Sequence, residues 1–225
     1  MSSIAAAVSA LASLVSGECW AVVGLPGTGK THAAQVALRE WRKSFARIVI
    51  FDPYADRDRA NPQAHPWAGD LVTSAALFAA PERLDRRALL VVSPDTLDAR
   101  AMGRRFAAVA DLCWYTGGVC LVAEEAALYG REAAGAVLRV ATGGRHAGMG
   151  LVLLSQAIGR IPIDGRRCLA GIVAGTQSEP ADVQALRDRT ELTAPGWADK
   201  VATLRKGDPL AVWRVGVGAP SEKTS

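Results

Sequence analysis

Short apolar runs closed by turn residues alternate along the chain with longer polar or helically periodic stretches. Such runs, rich in Val, Ile and Leu, suit strands buried on both faces, and they predict strands over 19–23, 48–51, 88–92, 119–123, 151–155 and 171–174. Helical patterning covers 31–45, 97–111 and 181–188, the last introduced by Pro180, which suits a first helical turn. Strands and helices in alternation predict an α/β fold with a mostly parallel central sheet flanked by helices. Near the end, 201–204 and 210–215 flank Arg205-Lys206-Gly207-Asp208-Pro209, a spacer that predicts a C-terminal β-hairpin.

Residues 1–17 carry no charge, and Ile4, Val8, Leu11 and Val15 recur at helical spacing, so this segment reads as a helix lying on the domain. It lacks the basic start of a signal peptide, and at about 16 residues it is shorter than a membrane span. The stretch 53–70, rich in Asp, Arg, Pro and Asn, has no apolar periodicity and reads as a long surface loop. The expected organisation is therefore a helical segment (1–17), one α/β domain (18–217) and a disordered tail (218–225), with no internal repeat and no transmembrane segment.

Composition adds three points. Half of the 225 residues are hydrophobic, enough for one core. Cys19, Cys113, Cys120 and Cys168 show no CxxC pairing, so neither a zinc site nor a disulfide framework is expected, and a reducing, cytoplasmic setting fits. The net charge of +4 is uneven: 14 basic and 14 acidic side chains precede residue 139, and 12 basic and 8 acidic follow from there. Arg139, Arg145, Arg160, Arg166 and Arg167 crowd one region opposed only by Asp164, a pattern that fits either a polyanion partner or simply solvated arginines.

The strongest chemical signal is Gly24-Leu25-Pro26-Gly27-Thr28-Gly29-Lys30-Thr31, set between a predicted strand and a predicted helix. Glycines let backbone amides approach an anion, the helix start offers its positive dipole end, Lys30 suits β- and γ-phosphates, and the Thr31 hydroxyl suits Mg²⁺. The nucleotide-binding set runs from Gly24 through His32, with ATP and Mg²⁺ as the expected cofactors. A phosphate loop needs an acid at a neighbouring strand end, and Val119 to Ala123 followed by Glu124-Glu125 supplies two. Adjacent carboxylates beside a buried strand call for a balancing cation. Glu124 is assigned to the metal and Glu125 to polarising the attacking water.

The run from Gly143 to Gln156, Gly-Gly-Arg-His-Ala-Gly-Met-Gly-Leu-Val-Leu-Leu-Ser-Gln, resembles the fourth-strand region of the FtsK/HerA superfamily, where an arginine precedes an apolar strand ending in glutamine. With the phosphate loop, the paired acids and the predicted hairpin, the resemblance spans about Cys19 to Val215. It implies a RecA/FtsK-like P-loop fold and an ATP-hydrolysing ring, hexameric or pentameric, that moves double-stranded DNA. It further implies Gln156 as the sensor of the γ-phosphate or attacking water, and Arg145 as the arginine finger given to the neighbouring subunit, with Arg139 and Arg160 as alternatives. The minimal size is most similar to the genome-packaging ATPases of membrane-containing icosahedral viruses. That branch implies capsid-vertex or viral membrane partners and a place in the host cytoplasm or at a packaging vertex. Glu124-Glu125 departs from the family's usual Asp-Glu. With no sequence-reading module in the chain, DNA contact falls to basic loops, with Arg57, Arg59, Arg160, Arg166 and Arg167 as candidates.

Rival readings carry their own requirements. A zonula-occludens-toxin-like phage assembly ATPase usually carries a membrane segment, and a plasmid or conjugation DNA-transfer ATPase shares the motif set. A GTPase-type switch would need Asn-Lys-x-Asp, which the chain lacks.

Overall fold

The strand residues are apolar at nearly every position, and they assemble into one sheet whose two faces are both covered. The structure is a computed structural model and describes residues 3–55, 67–86, 89–177 and 179–215. Among these residues the strands are β1 (Cys19–Val23), β2 (Arg47–Phe51), β3 (Asp70–Thr73), β4 (Leu89–Ser93), β5 (Val119–Ala123), β6 (Gly150–Ser155), β7 (Gly171–Ala174) and β8 (Ala211–Arg214). Their spatial order is β3-β4-β2-β5-β6-β1-β7-β8, parallel throughout except for the last pair. The helices are α1 (Ser3–Ala12), α2 (Lys30–Ser44), α3 (Ser74–Ala79), α4 (Arg83–Arg86), α5 (Ala99–Thr116), α6 (Ala134–Gly143), α7 (Ile163–Arg167), α8 (Pro180–Thr190) and α9 (Trp197–Thr203).

Alternation along each strand divides the core in two. Trp20, Val22, Ile50, Val122 and Leu154 pack under α1 and α2. Ala21, Val23, Val49, Leu121 and Leu153 pack under α5, α6, α8 and α9, which contribute Phe106, Val137, Leu186 and Val201. All six predicted strands are present, and the fold class is the expected one. The edge strand β3 escapes prediction because it is short and opens on an exposed Asp70.

Two expectations need correction. The N-terminal helix exists, but Ala7 and Leu11 form its buried side and Leu14 is buried just past its end, while Val15, also beyond the helix end, is 50% exposed. Packing of Ala7, Leu11 and Leu14 into the core beside α2 sets this face, and the indole Nε1 of buried Trp41 on α2 donates to Leu11 O at 2.7 Å, fastening the segment to α2. At the other end, the chain closes on an antiparallel strand pair, but 201–204 is not its first arm. Residues 201–203 belong to α9, where Ala198 and Val201 face the core and Trp197 Nε1 donates to Val212 O at 3.1 Å. β8 pairs instead with β7, Ala174 opposite Ala211 and Gly171 opposite Arg214. The tail 218–225 and most of the expected 53–70 loop lie outside the described residues.

Packing of α1 predicts an asymmetric pair of variants. Leu11→Ala should lose about 2–5 kcal/mol of unfolding free energy in a denaturant titration, and Val15→Ala less than about 0.5 kcal/mol. Equal losses would contradict the observed rotation of the helix.

Candidate functional site

β5, β6 and β1 lie side by side and run the same way, so the segments that follow them emerge on one edge of the sheet. After β1 the chain enters the loop from Gly24 to Gly29 and then α2. Gly24 has φ +150°, and a Cβ there would stand 2.8 Å from Thr28 Oγ1 and 3.1 Å from Gly175 Cα, so the tight turn requires glycine. The loop is tied to its neighbours: Gly24 N donates to Ser155 O and Leu25 N to Thr176 O, each at 3.2 Å. Lys30 is only 8% exposed, and its Nζ donates to Gly24 O at 2.7 Å and Leu25 O at 3.2 Å. Burial lowers its pKa, opposed by the nearby charges of Glu125 and Glu124. His32 sits exposed on the first turn of α2.

Across this loop stand the acids. The Thr31 hydroxyl donates to Glu124 Oε1 at 3.1 Å. Glu124 is 7% exposed, and its pKa is raised to about 7, first by burial and next by the charge of Asp52, with the Thr31 hydrogen bond pulling the other way. Tyr129 fixes the backbone beneath it, its hydroxyl donating to Glu124 O at 2.9 Å from a ring packed on Phe51 and Phe106. Glu125 is half-buried and takes φ +46°, a left-handed value rare outside glycine. Gln156 Nε2 donates to both oxygens of Glu125, at 3.3 and 3.2 Å. The paired acids and the glutamine therefore meet, as do Lys30, Thr31 and Glu124.

Three contributors lie outside the sequence expectations. Asp52 follows β2 as Glu124 follows β5, is buried, and accepts from Tyr54 N at 2.8 Å through Oδ1. An acid directly after the apolar run 48–51 was its available signal. Buried Gln177 donates to Gln156 O at 3.2 Å, and buried Asp182 accepts from Gly159 N at 2.7 Å, so both brace the segment after β6. Thr31, Glu124 and Asp52 offer the hard oxygens that Mg²⁺ prefers. Among the described residues no group of three or more His, Cys, Asp or Glu is arranged to hold a metal alone, so a cation here would need ligand oxygens as well.

The arginines are dispersed. Arg145 is exposed and precedes β6, which places it at the opposite edge of the sheet, about 20 Å from Gln156 at ordinary strand rise. Arg139 on α6 pairs with Asp111 and lies over the Trp114 ring at 5.9 Å. Arg160 is exposed just after Gln156, on the same edge as the phosphate loop. Arg166 and Arg167 on α7 border a cavity of about 230 Å³ with Arg189, and Arg167 also pairs with Asp164 at 3.6 Å. Arg57 and Arg59 lie outside the described residues. Among the described residues no helix is long and apolar enough to cross a membrane.

No protein-family model matches the chain, and no curated protein matches it. Solved structures do. The genome packaging NTPase B204 of Sulfolobus turreted icosahedral virus 2, in complex with AMPPCP, superposes with a TM-score of 0.65 at 18% identity, covering 88% of this chain and 93% of that one. Its sulfate complex gives 0.64 at 17% identity over 88% and 92%. VirB4 of Thermoanaerobacter pseudethanolicus gives 0.58 at 12% identity over 90% and 89%. At these identities the shared property is the fold, and it is shared over nearly the whole length of each chain.

Proposed function

We propose that the chain is a Mg²⁺-dependent ATPase that works as a homo-oligomeric ring, a hexamer or pentamer, to translocate double-stranded DNA, and that its task is to package a viral genome into a preformed capsid. The observation that carries this reading is the convergence of Lys30, Thr31, Glu124, Glu125 and Gln156 at the ends of three neighbouring parallel strands. The fold likeness to a genome packaging NTPase supports the choice of load.

In the proposed reaction a water oxygen attacks the γ-phosphorus, the bond from that phosphorus to the β,γ-bridging oxygen breaks, and ADP and phosphate leave. Residues Gly24 to His32 cradle the phosphates with backbone amides at the positive end of α2. Lys30 exchanges its two carbonyl partners for β- and γ-phosphate oxygens. Thr31 and Glu124 would hold the cation, with Asp52 close enough to raise the Glu124 pKa and so to favour a divalent guest. Mg²⁺, when bound, would supply charge neutralisation to the phosphates. Glu125 polarises the attacking water and takes its proton, while Gln156 holds that carboxylate in place and reads the terminal phosphate. Arg145, on the far edge from its own loop, serves a neighbouring subunit's nucleotide as the finger. Arg57, Arg59, Arg160, Arg166 and Arg167 are assigned to DNA phosphates. Capsid-vertex or viral membrane proteins are the proposed further partners, in the host cytoplasm or at a packaging vertex.

Size-fractionated protein should hydrolyse ATP faster when double-stranded DNA is added, and Lys30→Ala should hydrolyse none. A strict monomer with DNA-indifferent turnover would overturn the motor, and undiminished turnover by K30A would overturn the site. Arg145→Ala should bind ATP as wild type does yet lose about 10³-fold in turnover, the scale of a missing arginine finger; unchanged turnover removes Arg145 from the mechanism.

Without metal and nucleotide, Glu124 carries a cost that depends on pH. Its folded pKa of about 7 lies above the unfolded value near 4.5, so the folded state binds the extra proton and stability falls as pH rises from about 4.5 to about 7. In chelator, Glu124→Gln should therefore be the more stable protein at pH 8, by something of the order of 3 kcal/mol, with most of that difference gone by pH 5. Parallel melting curves at the two pH values for both proteins would refute the buried-acid account.

A further inference from the structure

Between α9 and β8 the chain returns to the phosphate loop. Arg205-Lys206-Gly207-Asp208 forms a closed turn, with Asp208 N donating to Arg205 O at 3.0 Å, Arg205 N donating to Asp208 Oδ2 at 2.7 Å, and Gly207 at φ +98°. Buried Leu210 pins the turn. Its Cδ2 lies 3.1 Å from the position a Cβ on Gly175 would take, and Thr28 Cβ lies 2.8 Å from that same position, so Leu210, Gly175 and Thr28 pack together.

The consequence is where Lys206 ends. A Cβ on Gly27, at the crown of the phosphate loop, would stand 3.1 Å from Lys206 Cε and 3.4 Å from its Nζ, so this glycine also leaves room for the lysine. Lys206 is exposed, and among the described residues its ammonium hydrogen-bonds no acceptor and pairs with no carboxylate. It is held beside the positive end of the 15-residue helix α2 and on the same loop as Lys30, whose own ammonium is already taken by Gly24 O and Leu25 O. Like charges gathered in this way repel unless an anion sits among them.

We infer that Lys206 is a phosphate ligand for the bound nucleotide, supplied in cis by the C-terminal turn as a second ammonium beside Lys30. The inference rests on the proposed ATP site. Lys30 approaches from inside the fold and Lys206 from solvent, so the phosphate chain lies between two cations, and the turn leading into β8 is tied to nucleotide occupancy.

Calorimetric titration with Mg²⁺ and a non-hydrolysable ATP analogue tests it. Lys206→Ala should bind about tenfold more weakly than wild type, the scale of one lost charge-assisted hydrogen bond, and Lys206→Arg should stay within about twofold. Both variants should melt with wild type when free of ligand, because the side chain is exposed. Wild-type binding matched by K206A overturns the inference alone, as does an equal loss in K206A and K206R, which would make the role one of turn geometry rather than charge. Absence of binding by the wild-type chain overturns this inference together with the ATP site, and K30A marks that outcome in the same titration.

Discussion

The site depends on β6 lying between β1 and β5 in parallel register. Val23 pairs with Ser155 and Ala123 with Leu153, so β6 runs two residues past the end of β5 while finishing level with β1. That offset puts Gln156 beside Glu125 and lets Ser155 O receive the amide of Gly24, where the phosphate loop begins. A slip of two residues between β5 and β6 would keep every side chain on its own face yet separate the glutamine from the acid, and the same slip between β1 and β6 would take Ser155 O from the Gly24 amide. The register is held by apolar side chains on both faces of β6, all buried, and by close packing at its start, where a Cβ on Gly150 would stand 2.7 Å from Phe45 Cζ.

Burial of three acids near one buried lysine opposes folding. Asp52 and Glu124 are both almost inaccessible, Glu125 is half-buried, and Lys30 is the nearby cation. An ionised carboxylate taken out of water without full compensation costs several kcal/mol or takes up a proton, which is what the raised pKa of Glu124 expresses. The strained φ of Glu125 adds to the cost. Neither arrangement improves the ligand-free chain, and under the proposed function a divalent cation bound with an anionic ligand would offset both. Aromatic packing provides the support: Tyr129, Phe51 and Phe106 form a dry cluster whose one polar group holds the Glu124 carbonyl.

What the sequence made legible follows from how local the governing physics is. Strands buried on both faces leave unbroken apolar runs, and the phosphate loop depends on consecutive residues, so both could be read directly. The face that α1 buries is set by packing on the distant α2, where Trp41 also donates to Leu11 O, and four apolar positions at helical spacing could not choose among the faces they allowed. Residues 201–203 are ambiguous for a related reason: a short apolar run near a glycine turn suits a strand or a helix, and docking of Trp197 on β8 decides for the helix. Gln177 and Asp182 act through partners far along the chain, so only the assembled sheet identifies them, whereas Asp52 left a signal after an apolar run but needed β5 beside β2 to be joined to Glu124.

The position of the arginines bears on whether one copy of the chain is a complete catalyst. Lys30 is the one basic group buried at the phosphate loop among the described residues, and Lys206 lies over its outside. Arg139 is occupied by Asp111 and Trp114, and Arg145 is separated from its own loop by the length of β6. Arg160 alone among the candidate fingers shares the edge with the loop. A finger must reach the terminal phosphate, and Arg145 can do so only if a second copy sets the start of its β6 against the first copy's strand ends. Under the proposed function, the resemblance that selects Arg145 therefore also requires a head-to-tail contact between subunits, which closes into a ring when the rotation per step divides a full turn. Were Arg160 the finger instead, that contact with the start of β6 would not be required, so the choice between the two arginines decides whether catalysis itself demands this assembly.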